Sequence, residues 1–252
     1  MTFFQALILG IVQGITEFFP ISSSAHLRLF KNLMHIPDGE HLLYFDLLCH
    51  AGTLLAVIIY LRKEVFLVLA SMRKIGLFFL ALLPLVPAYF LLKPVRIALS
   101  DPMYLGYFLL VTALILFSAS FIVKKNPPKT IHALWIGMAQ ALALIPGISR
   151  SGSTIAVARF CGWTLKEGAL FSFLLAIPTI LGGELLETIQ LLKSTSASIV
   201  PWTSYAAGFL ASFGSGLFSC RTVFWIYERG LIRPFAWYCL TVGLIALLWL
   251  RN

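Results

Sequence analysis

The chain has 252 residues, of which 60% are hydrophobic and only 12% charged, and its mean hydropathy is +0.92. No soluble globular domain of this length has such a composition, so the sequence indicates a polytopic membrane protein. The net charge of +9 does not indicate a nucleic-acid partner. The basic residues lie in short loops and do not alternate with aromatic residues, as is typical of cytoplasmic loops in membrane proteins.

The first apolar stretch, Phe3–Phe19, is interrupted by Gln13, Thr16 and Glu17 and stops at Pro20. At about 17 residues it is marginal for a membrane span. The compact polar turn Ile21–His26 follows, and then a second apolar piece that ends in the loop Asp38–Glu40. We predict a re-entrant helical hairpin, which is tolerated at membrane depth only where its backbone is buried in protein or lines a cavity.

Six full-length spans are predicted, three in each half of the chain. They are Leu42–Leu61, Ile75–Leu92, Tyr104–Val123, Ala169–Ile189, Trp202–Cys220 and Pro234–Leu250. Pro84 and Pro87 are expected to kink the second span. Asp46 and His50 lie four residues apart on one face of the first span. We interpret them as supporting residues of a site, with a metal-binding pair as the alternative.

A second hairpin is predicted where the apolar stretch His132–Ile145 stops and the polar segment Pro146–Thr154 follows. Backbone N–H groups that are freed at such a helix break, beside small hydroxyls, form a surface suited to an anion. Arg150 adds a planar fork that matches phosphate oxygens. Because an arginine at membrane depth is costly, we interpret it as functional. The alternative is an ordinary turn with a solvated Arg150.

Identical residues recur at a constant offset of 127 positions. The pairs are Ala6/Ala133, Leu7/Leu134, Gly10/Gly137, Gln13/Gln140, Ile21/Ile148, Ser22/Ser149 and Ser24/Ser151. They predict a single membrane domain, residues 1–252, built from the repeats 1–126 and 127–252. Each repeat is a re-entrant hairpin plus three spans. Since three is an odd number, the second repeat must be inverted in the membrane.

Loop charge predicts the orientation of the chain. Loops 62–74, 124–130 and 221–233 carry ten basic residues, whereas connections 93–103 and 188–201 carry three. Basic loops mark the cytoplasm, so we expect both termini outside it. The two hairpins then enter from opposite sides, and their polar turns meet near the midplane.

Neither a signal peptide nor a disulfide framework is predicted. Gly10–Glu17 is a poor apolar core for a signal peptide and no basic segment precedes it, so we expect no cleaved signal. The four cysteines form no CxxC pair and are interpreted as small buried hydrophobic residues, not as a disulfide frame or metal site. They are Cys49, Cys161, Cys220 and Cys239.

Gly10–His26 and Pro146–Thr154 resemble the two signature motifs of undecaprenyl-diphosphatases of the bacitracin-resistance type. The resemblance runs the whole length of the chain, including Phe45–Thr53 and Phe171–Pro178. It implies an enzyme of the bacterial cytoplasmic (inner) membrane that hydrolyses undecaprenyl diphosphate to the monophosphate and inorganic phosphate. This reaction recycles the lipid carrier for peptidoglycan synthesis and confers bacitracin resistance. It also implies an active site that opens on the outer, periplasmic side.

Diphosphate cleavage requires a clamp for negative charge, a nucleophile and proton transfer. Arg150 is the predicted clamp, Glu17 a base or metal ligand, and His26 a base, acid or nucleophile. The resemblance places the nucleophile at Ser23, with the neighbouring serines or a water as alternatives. Further phosphate-binding residues are expected at Gln13, Ser22, Ser24, Ser149, Ser151 and Thr154. We expect the tips of Arg150 and of Glu17 or His26 to lie within roughly 8 Å of each other.

Several alternatives stay open at this point. As alternatives to the functional roles, the serines of the first turn are only helix caps and His26 is only a structural histidine. A divalent cation, Mg²⁺ or Ca²⁺, is an open cofactor, with Glu17 the best metal candidate and Asp46 a weaker one. Glu184 and Glu187 are interpreted as interfacial residues. The partners are undecaprenyl diphosphate and the bilayer, without nucleic acid, and the oligomeric state is undetermined.

A lipid-phosphate transporter is the rival function, because inverted repeats with broken helices are typical of transporters. A flippase would use the same anion site at the midplane. It needs no base beside a nucleophile, however, so the set formed by Glu17, Ser23 and His26 favours an enzyme.

The inverted topology is tested by cysteines placed at positions 68 and 196 of a cysteine-free chain. We expect an impermeant thiol reagent to label the two positions from opposite sides of the membrane. Labelling of both from the same side would contradict the inverted repeat.

Overall fold

A computed structural model of the chain describes residues 1–36, 40–123, 126–191 and 201–250. Within these ranges the chain forms helices and no strand. The helices are α1 Phe3–Phe18, α2 Ser23–Leu33, α3 Glu40–Tyr60, α4 Arg62–Leu69, α5 Met72–Leu82, α6 Leu85–Leu91, α7 Lys93–Ala98, α8 Leu105–Ser120, α9 Thr130–Leu142, α10 Arg150–Phe160, α11 Leu165–Leu191, α12 Trp202–Glu228 and α13 Arg233–Trp249. A 3-10 turn, Pro102–Tyr104, precedes α8.

Five helical segments of the described chain are long and apolar enough to cross a membrane. They are Leu42–Tyr60, Met72–Leu91, Pro102–Ser120, Leu165–Ile189 and Trp202–Glu228. Together they agree with five of the six predicted spans, and the chain is an all-α integral membrane protein. The sixth predicted span corresponds to α13, an apolar helix of 17 residues that is shorter than the other five.

Two features of the first half differ from the prediction. The expected kink at Pro84 is a break, because α5 ends at Leu82 and α6 begins at Leu85. The predicted loop 62–74 is wrong in part, since it contains the helix α4, whose residues are exposed or half-buried. Physically, Val65 and Val68 of α4 pack against the hydrophobic core, and such packing stabilises a short helix. The predicted loop positions 38–39, 124–125, 193 and 196 lie outside the described residues.

Both predicted hairpins are present, as α1 with α2 and α9 with α10. Phe3 and Thr130, which begin the first helix of each hairpin, are 127 positions apart. Ser23 and Arg150, which begin the second helix, are separated by the same number. The helix boundaries therefore follow the sequence offset. The division into repeats 1–126 and 127–252, and their inversion, stay predictions.

Helix α12 packs along both α1 and α3. A Cβ atom added to Gly14 of α1 would lie 2.5 Å from the carbonyl oxygen of Ser212 and 2.7 Å from the amide nitrogen of Gly216. In the same contact, the hydroxyl of Ser219 donates to the carbonyl oxygen of Gly14 at 3.0 Å. Small residues allow such close backbone approach between membrane helices. This contact fixes α1 three residues before Glu17.

The second hairpin is held by similar means. Helix α9 packs on α5, and a Cβ atom on Gly137 would collide with the backbone of Ala81. Helix α10 contacts α8, α9 and α11. Under the turns of both hairpins, the rings of Phe18, Phe173 and Phe224 form a buried chain with centroid separations of 5.1 and 5.4 Å. This core joins helices from both halves of the chain.

The close contact at Gly14 predicts an unusual response to alanine. In an open helix interior, Gly→Ala stabilises by about 0.5–1 kcal/mol. At Gly14 the new methyl group meets backbone atoms, so Gly14→Ala should lower the midpoint of thermal unfolding in detergent. Gly214→Ala in α12 is the matched control, because nothing lies within 4 Å of the position that its methyl group would take. Shifts of the same sign in both variants would contradict the packing argument.

Candidate active site

The turns of the two hairpins meet inside the bundle. Arg150 Nη2 donates to Glu17 Oε1 at 2.5 Å, across 133 positions of sequence. The hydroxyl of Ser151 also donates to the carbonyl oxygen of Phe19 at 3.1 Å. The expectation that Arg150 lies within roughly 8 Å of Glu17 is confirmed. Only 19% of the Arg150 side chain is exposed, so the alternative of a solvated arginine is wrong.

Glu17 is the most heavily bonded side chain of this region. Its second carboxylate oxygen, Oε2, accepts from Ser23 Oγ at 2.7 Å and from Gln13 Nε2 at 3.0 Å. The Nε2 atom of His50 lies 3.9 Å from the same oxygen. With 6% of its side chain exposed, the carboxylate needs such partners, because an unpaired buried charge is very costly.

Two helix N-termini face the same space. Helix α2 begins after Ser22, whose hydroxyl accepts from the amide of Ala25 at 3.4 Å. Helix α10 begins after Ser149, whose hydroxyl accepts from the amide of Gly152 at 3.0 Å. The start of a helix carries partial positive charge and N–H groups without intrahelical partners. Two such ends on one space, together with Arg150, form a positive surface for an anion.

Ser22 has an uncommon backbone conformation. Its φ is 69°, in the left-handed region that side chains other than glycine rarely adopt. Such a conformation costs on the order of 1 kcal/mol or more and is found mostly at functional sites. Here it turns the chain sharply from α1 into α2, so that the first residues of α2 face Glu17.

A cavity of about 280 Å³ lies between the two turns. Its walls come from both hairpins, from α3 and from α11. The polar residues that line it are Thr16, Glu17, Ser22, Ser23, Ser24, His50, Ser149, Arg150, Ser151, Thr179, Glu184 and Glu187. Seven of the predicted site residues are in this set. The chain therefore assembles a buried carboxylate, a hydroxyl bonded to it and an arginine around one cavity.

Three predicted site residues do not line the cavity. His26 is 2% exposed; its Nδ1 lies 2.8 Å from the carbonyl oxygen of Ser22 and its Nε2 lies 2.9 Å from the hydroxyl of Tyr238. Both ring nitrogens are thus engaged, and the ring joins the first turn to α13. Thr154 bonds to Ser172 of α11 at 2.7 Å. Gln13 reaches the site only through Glu17.

The cavity also contains residues that sequence reasoning did not place in the site. Glu184 and Glu187, interpreted as interfacial, lie in its wall. A signal was present, because Ile180, Gly183, Glu184 and Glu187 follow the spacing of one helix face. Asp46 and His50, interpreted as supporting residues with a metal-binding pair as the alternative, have side chains in different surroundings. His50 lines the cavity, whereas Asp46 Oδ2 accepts from Lys31 Nζ at 2.6 Å outside the lining.

The two candidate metal ligands, Glu17 and Asp46, already have other partners. The oxygens of Glu17 accept from Arg150, Ser23 and Gln13, and Asp46 is paired with Lys31. Among the described residues, no group of three or more His, Cys, Asp or Glu side chains is placed to hold a metal ion. The two candidate carboxylates are thus arranged for cationic and hydroxyl partners. They do not form a ligand set for Mg²⁺ or Ca²⁺ as they stand.

The fold and the cavity define a helical membrane protein with a polar, arginine-containing site between two broken helices. Comparison with known proteins is more specific. The family described as bacitracin resistance protein BacA matches residues 6–245. An undecaprenyl-diphosphatase of Protochlamydia amoebophila is 39% identical over 258 residues and covers 100% of both chains. Those of Parabacteroides distasonis and Alcanivorax borkumensis are 36% and 37% identical, covering 98% and 99% of this chain and 98% and 100% of their own lengths. The chain belongs to the bacitracin resistance protein family.

The buried ion pair predicts an effect on stability. Arg150→Met leaves Glu17 buried without its strongest partner and should destabilise the protein by on the order of 3 kcal/mol. The double variant Glu17→Gln with Arg150→Met should recover part of this loss, because the unpaired charge is removed. Thermal unfolding in detergent without substrate measures both effects.

The control for this experiment is the pair Lys166–Glu228, which has the same charges at 2.7 Å but is more than half exposed. Since exposed pairs contribute little, Lys166→Met should change the unfolding midpoint only slightly. Equal effects of Arg150→Met and Lys166→Met would show that burial does not strengthen the Arg150–Glu17 pair.

Proposed function

We propose that the protein is an undecaprenyl-diphosphatase, which hydrolyses undecaprenyl diphosphate to undecaprenyl phosphate and inorganic phosphate. This reaction recycles the lipid carrier for peptidoglycan synthesis. The observation that carries the proposal is the contact of Ser23, Glu17 and Arg150 at one cavity inside a helical membrane bundle. The activity of the relatives named above and the family of the chain support it.

The diphosphate is proposed to bind at the two helix N-termini and Arg150. One amino group of Arg150 donates to Glu17, and a guanidinium has five N–H donors in all. The remaining donors are therefore available to phosphate oxygens in a bidentate arrangement. Three serine hydroxyls of the cavity wall supply further donors, those of Ser22, Ser24 and Ser149. The Ser151 hydroxyl already donates to the carbonyl oxygen of Phe19.

Ser23 is the proposed nucleophile and Glu17 the base. The Ser23 hydroxyl already donates to Glu17 at 2.7 Å, which is the geometry required for proton transfer. Ser23 Oγ attacks the terminal phosphorus, its proton passes to Glu17, and the anhydride bond breaks to release undecaprenyl phosphate. Water then attacks the phosphoserine, Glu17 returns its proton to the leaving Ser23 oxygen, and free phosphate is released, which restores both the serine and the carboxylate. Arg150 stabilises the charge on the phosphoryl oxygens in both steps.

His26 is assigned a positioning role. Its ring bonds to the carbonyl oxygen of Ser22 and to the hydroxyl of Tyr238, so it holds the turn in the conformation that presents Ser23 to Glu17. Gln13 positions Glu17 in the same way from the preceding helical turn. These residues act through the groups that contact substrate.

The transporter alternative is not favoured. A carrier needs the anion surface but gains nothing from a hydroxyl donating to a buried carboxylate beside it. We further place the protein in the bacterial inner membrane, with both termini and the cavity opening on the periplasmic side. The distribution of basic loops and the shared offset of the helix starts support this orientation and two inverted repeats.

The clamp is tested by Arg150→Lys, with Arg159→Lys on the same helix as its matched control. Lysine keeps the charge but not the planar fork, so Arg150→Lys should lower kcat by about a hundredfold or more. Arg159 donates to the carbonyl oxygens of Trp163 and Ile122, away from the cavity, and its variant should stay within a few fold of wild type. Phosphate release from undecaprenyl diphosphate by purified protein is the measurement.

Near-normal turnover in Arg150→Lys and in Arg150→Ala would remove Arg150 from the mechanism. Failure of the wild-type protein to release phosphate would contradict the proposed reaction itself.

A further inference from the structure

The cavity between the hairpins is large enough for a phosphate group but too small for a long isoprenyl chain. Its volume is about 280 Å³, below the usual range of about 300–1,000 Å³ for pockets that enclose a drug-sized ligand. The chain of a lipid diphosphate bound there must therefore leave the cavity. A protein surface that contacts its first units must be apolar and must lie next to the cavity wall.

A groove with these properties lies between α9 and α6. It has a volume of about 600 Å³. Leu134, Met138 and Leu142 form its wall on one face of α9, and Leu83, Ala88 and Leu91 form the opposite wall. From Leu134 to Leu142 the groove follows the helix for about 12 Å, at about 1.5 Å per residue.

The groove and the cavity are lined by consecutive residues at the end of α9. Leu142 is the last residue of α9 and lines the groove, while the next two residues, Ala143 and Leu144, line the cavity. The groove is also a consequence of the break at Pro84. Before the break, α5 packs closely against α9 at Ala81 and Gly137. On the α5–α6 side, the groove is lined only by residues that follow Leu82.

We propose that this groove binds the first isoprene units of the substrate, so that α6 and α9 determine the preference for a long-chain diphosphate. The inference rests on the proposed function and concerns the isoprenyl chain, which is the part of the substrate that does not react. A second apolar groove lies on the other side of α5, lined among others by Val68 and Ile177. Its volume is about 250 Å³, less than half that of the first.

The test fills each groove with one aromatic ring. Ala88→Phe narrows the groove between α6 and α9, and Val68→Phe is the control in the second groove. Neither residue lines the cavity. We expect Ala88→Phe to raise the KM for undecaprenyl diphosphate about tenfold with kcat little changed, since a pocket that loses the fit of a few carbons discriminates by about this factor. Val68→Phe should leave KM unchanged.

Inorganic pyrophosphate has no chain, so its inhibition constant reports the cavity alone. That constant should be equal in the wild type and in both variants, and equality also shows that each variant is folded. If Ala88→Phe does not fold, Leu91→Trp replaces it, because Leu91 is 75% exposed and tolerates a larger side chain.

The other outcomes overturn the proposal. An unchanged KM in the α6 variant, or an equal increase in Val68→Phe, would remove this groove as the binding surface of the chain. A parallel loss of pyrophosphate inhibition would place the effect in the cavity. If the wild-type protein releases no phosphate from undecaprenyl diphosphate, the proposed function fails first, and the groove loses its occupant with it.

Discussion

The ion pair between Arg150 and Glu17 is the interaction on which the site depends. Both charges are mostly buried, and a buried charge without a partner costs several kcal/mol. The two residues are separated by 133 positions, so only tertiary packing can join them. The contact of α1 with α12 through Gly14, and that of α10 with α8 and α11, provide this packing. Helices α8 and α12, which do not line the cavity, thus help to determine whether its charges are paired.

The same pair poses an electrostatic problem for catalysis. A diphosphate that enters the cavity brings negative charge next to the Glu17 carboxylate, and like charges at short range repel. In the proposed mechanism, proton transfer from Ser23 to Glu17 removes this repulsion at the moment when the oxygen of Ser23 attacks. The positive charge of Arg150 is then no longer shared with the carboxylate and acts on the phosphoryl group alone. Glu17 is the counter-ion of Arg150 in the structure, and the proposed mechanism makes it the proton acceptor once a phosphoryl group has taken that place.

The sequence predicted the hairpins well, because Pro20 and Pro146 interrupt apolar stretches too short to span a membrane. It also predicted the meeting of Glu17 and Arg150, because two hairpins that enter from opposite sides are expected to bring their polar turns together. It did not predict that His26 bonds to Tyr238 of α13, because no local pattern specifies a contact across 212 positions. The acidic wall of α11 was missed for another reason: an acidic residue near the end of a span has an ordinary interfacial explanation, and only the packed structure shows which face turns inward.

The location of the site follows from what a membrane allows. A helix that stops inside the bundle leaves N–H groups without partners, and in hydrocarbon each such group costs several kcal/mol. The turn must therefore be covered by protein or face a polar cavity. Ser22 and Ser149 satisfy part of this requirement as helix caps, and the remaining donors face the space that Arg150 shares. The arrangement that makes two broken helices tolerable in the bundle is thus the same arrangement that attracts a phosphate. A surface suited to an anion at the hairpin turns is a direct result of folding this sequence in a bilayer, and the proposed chemistry adds only Glu17 and Ser23.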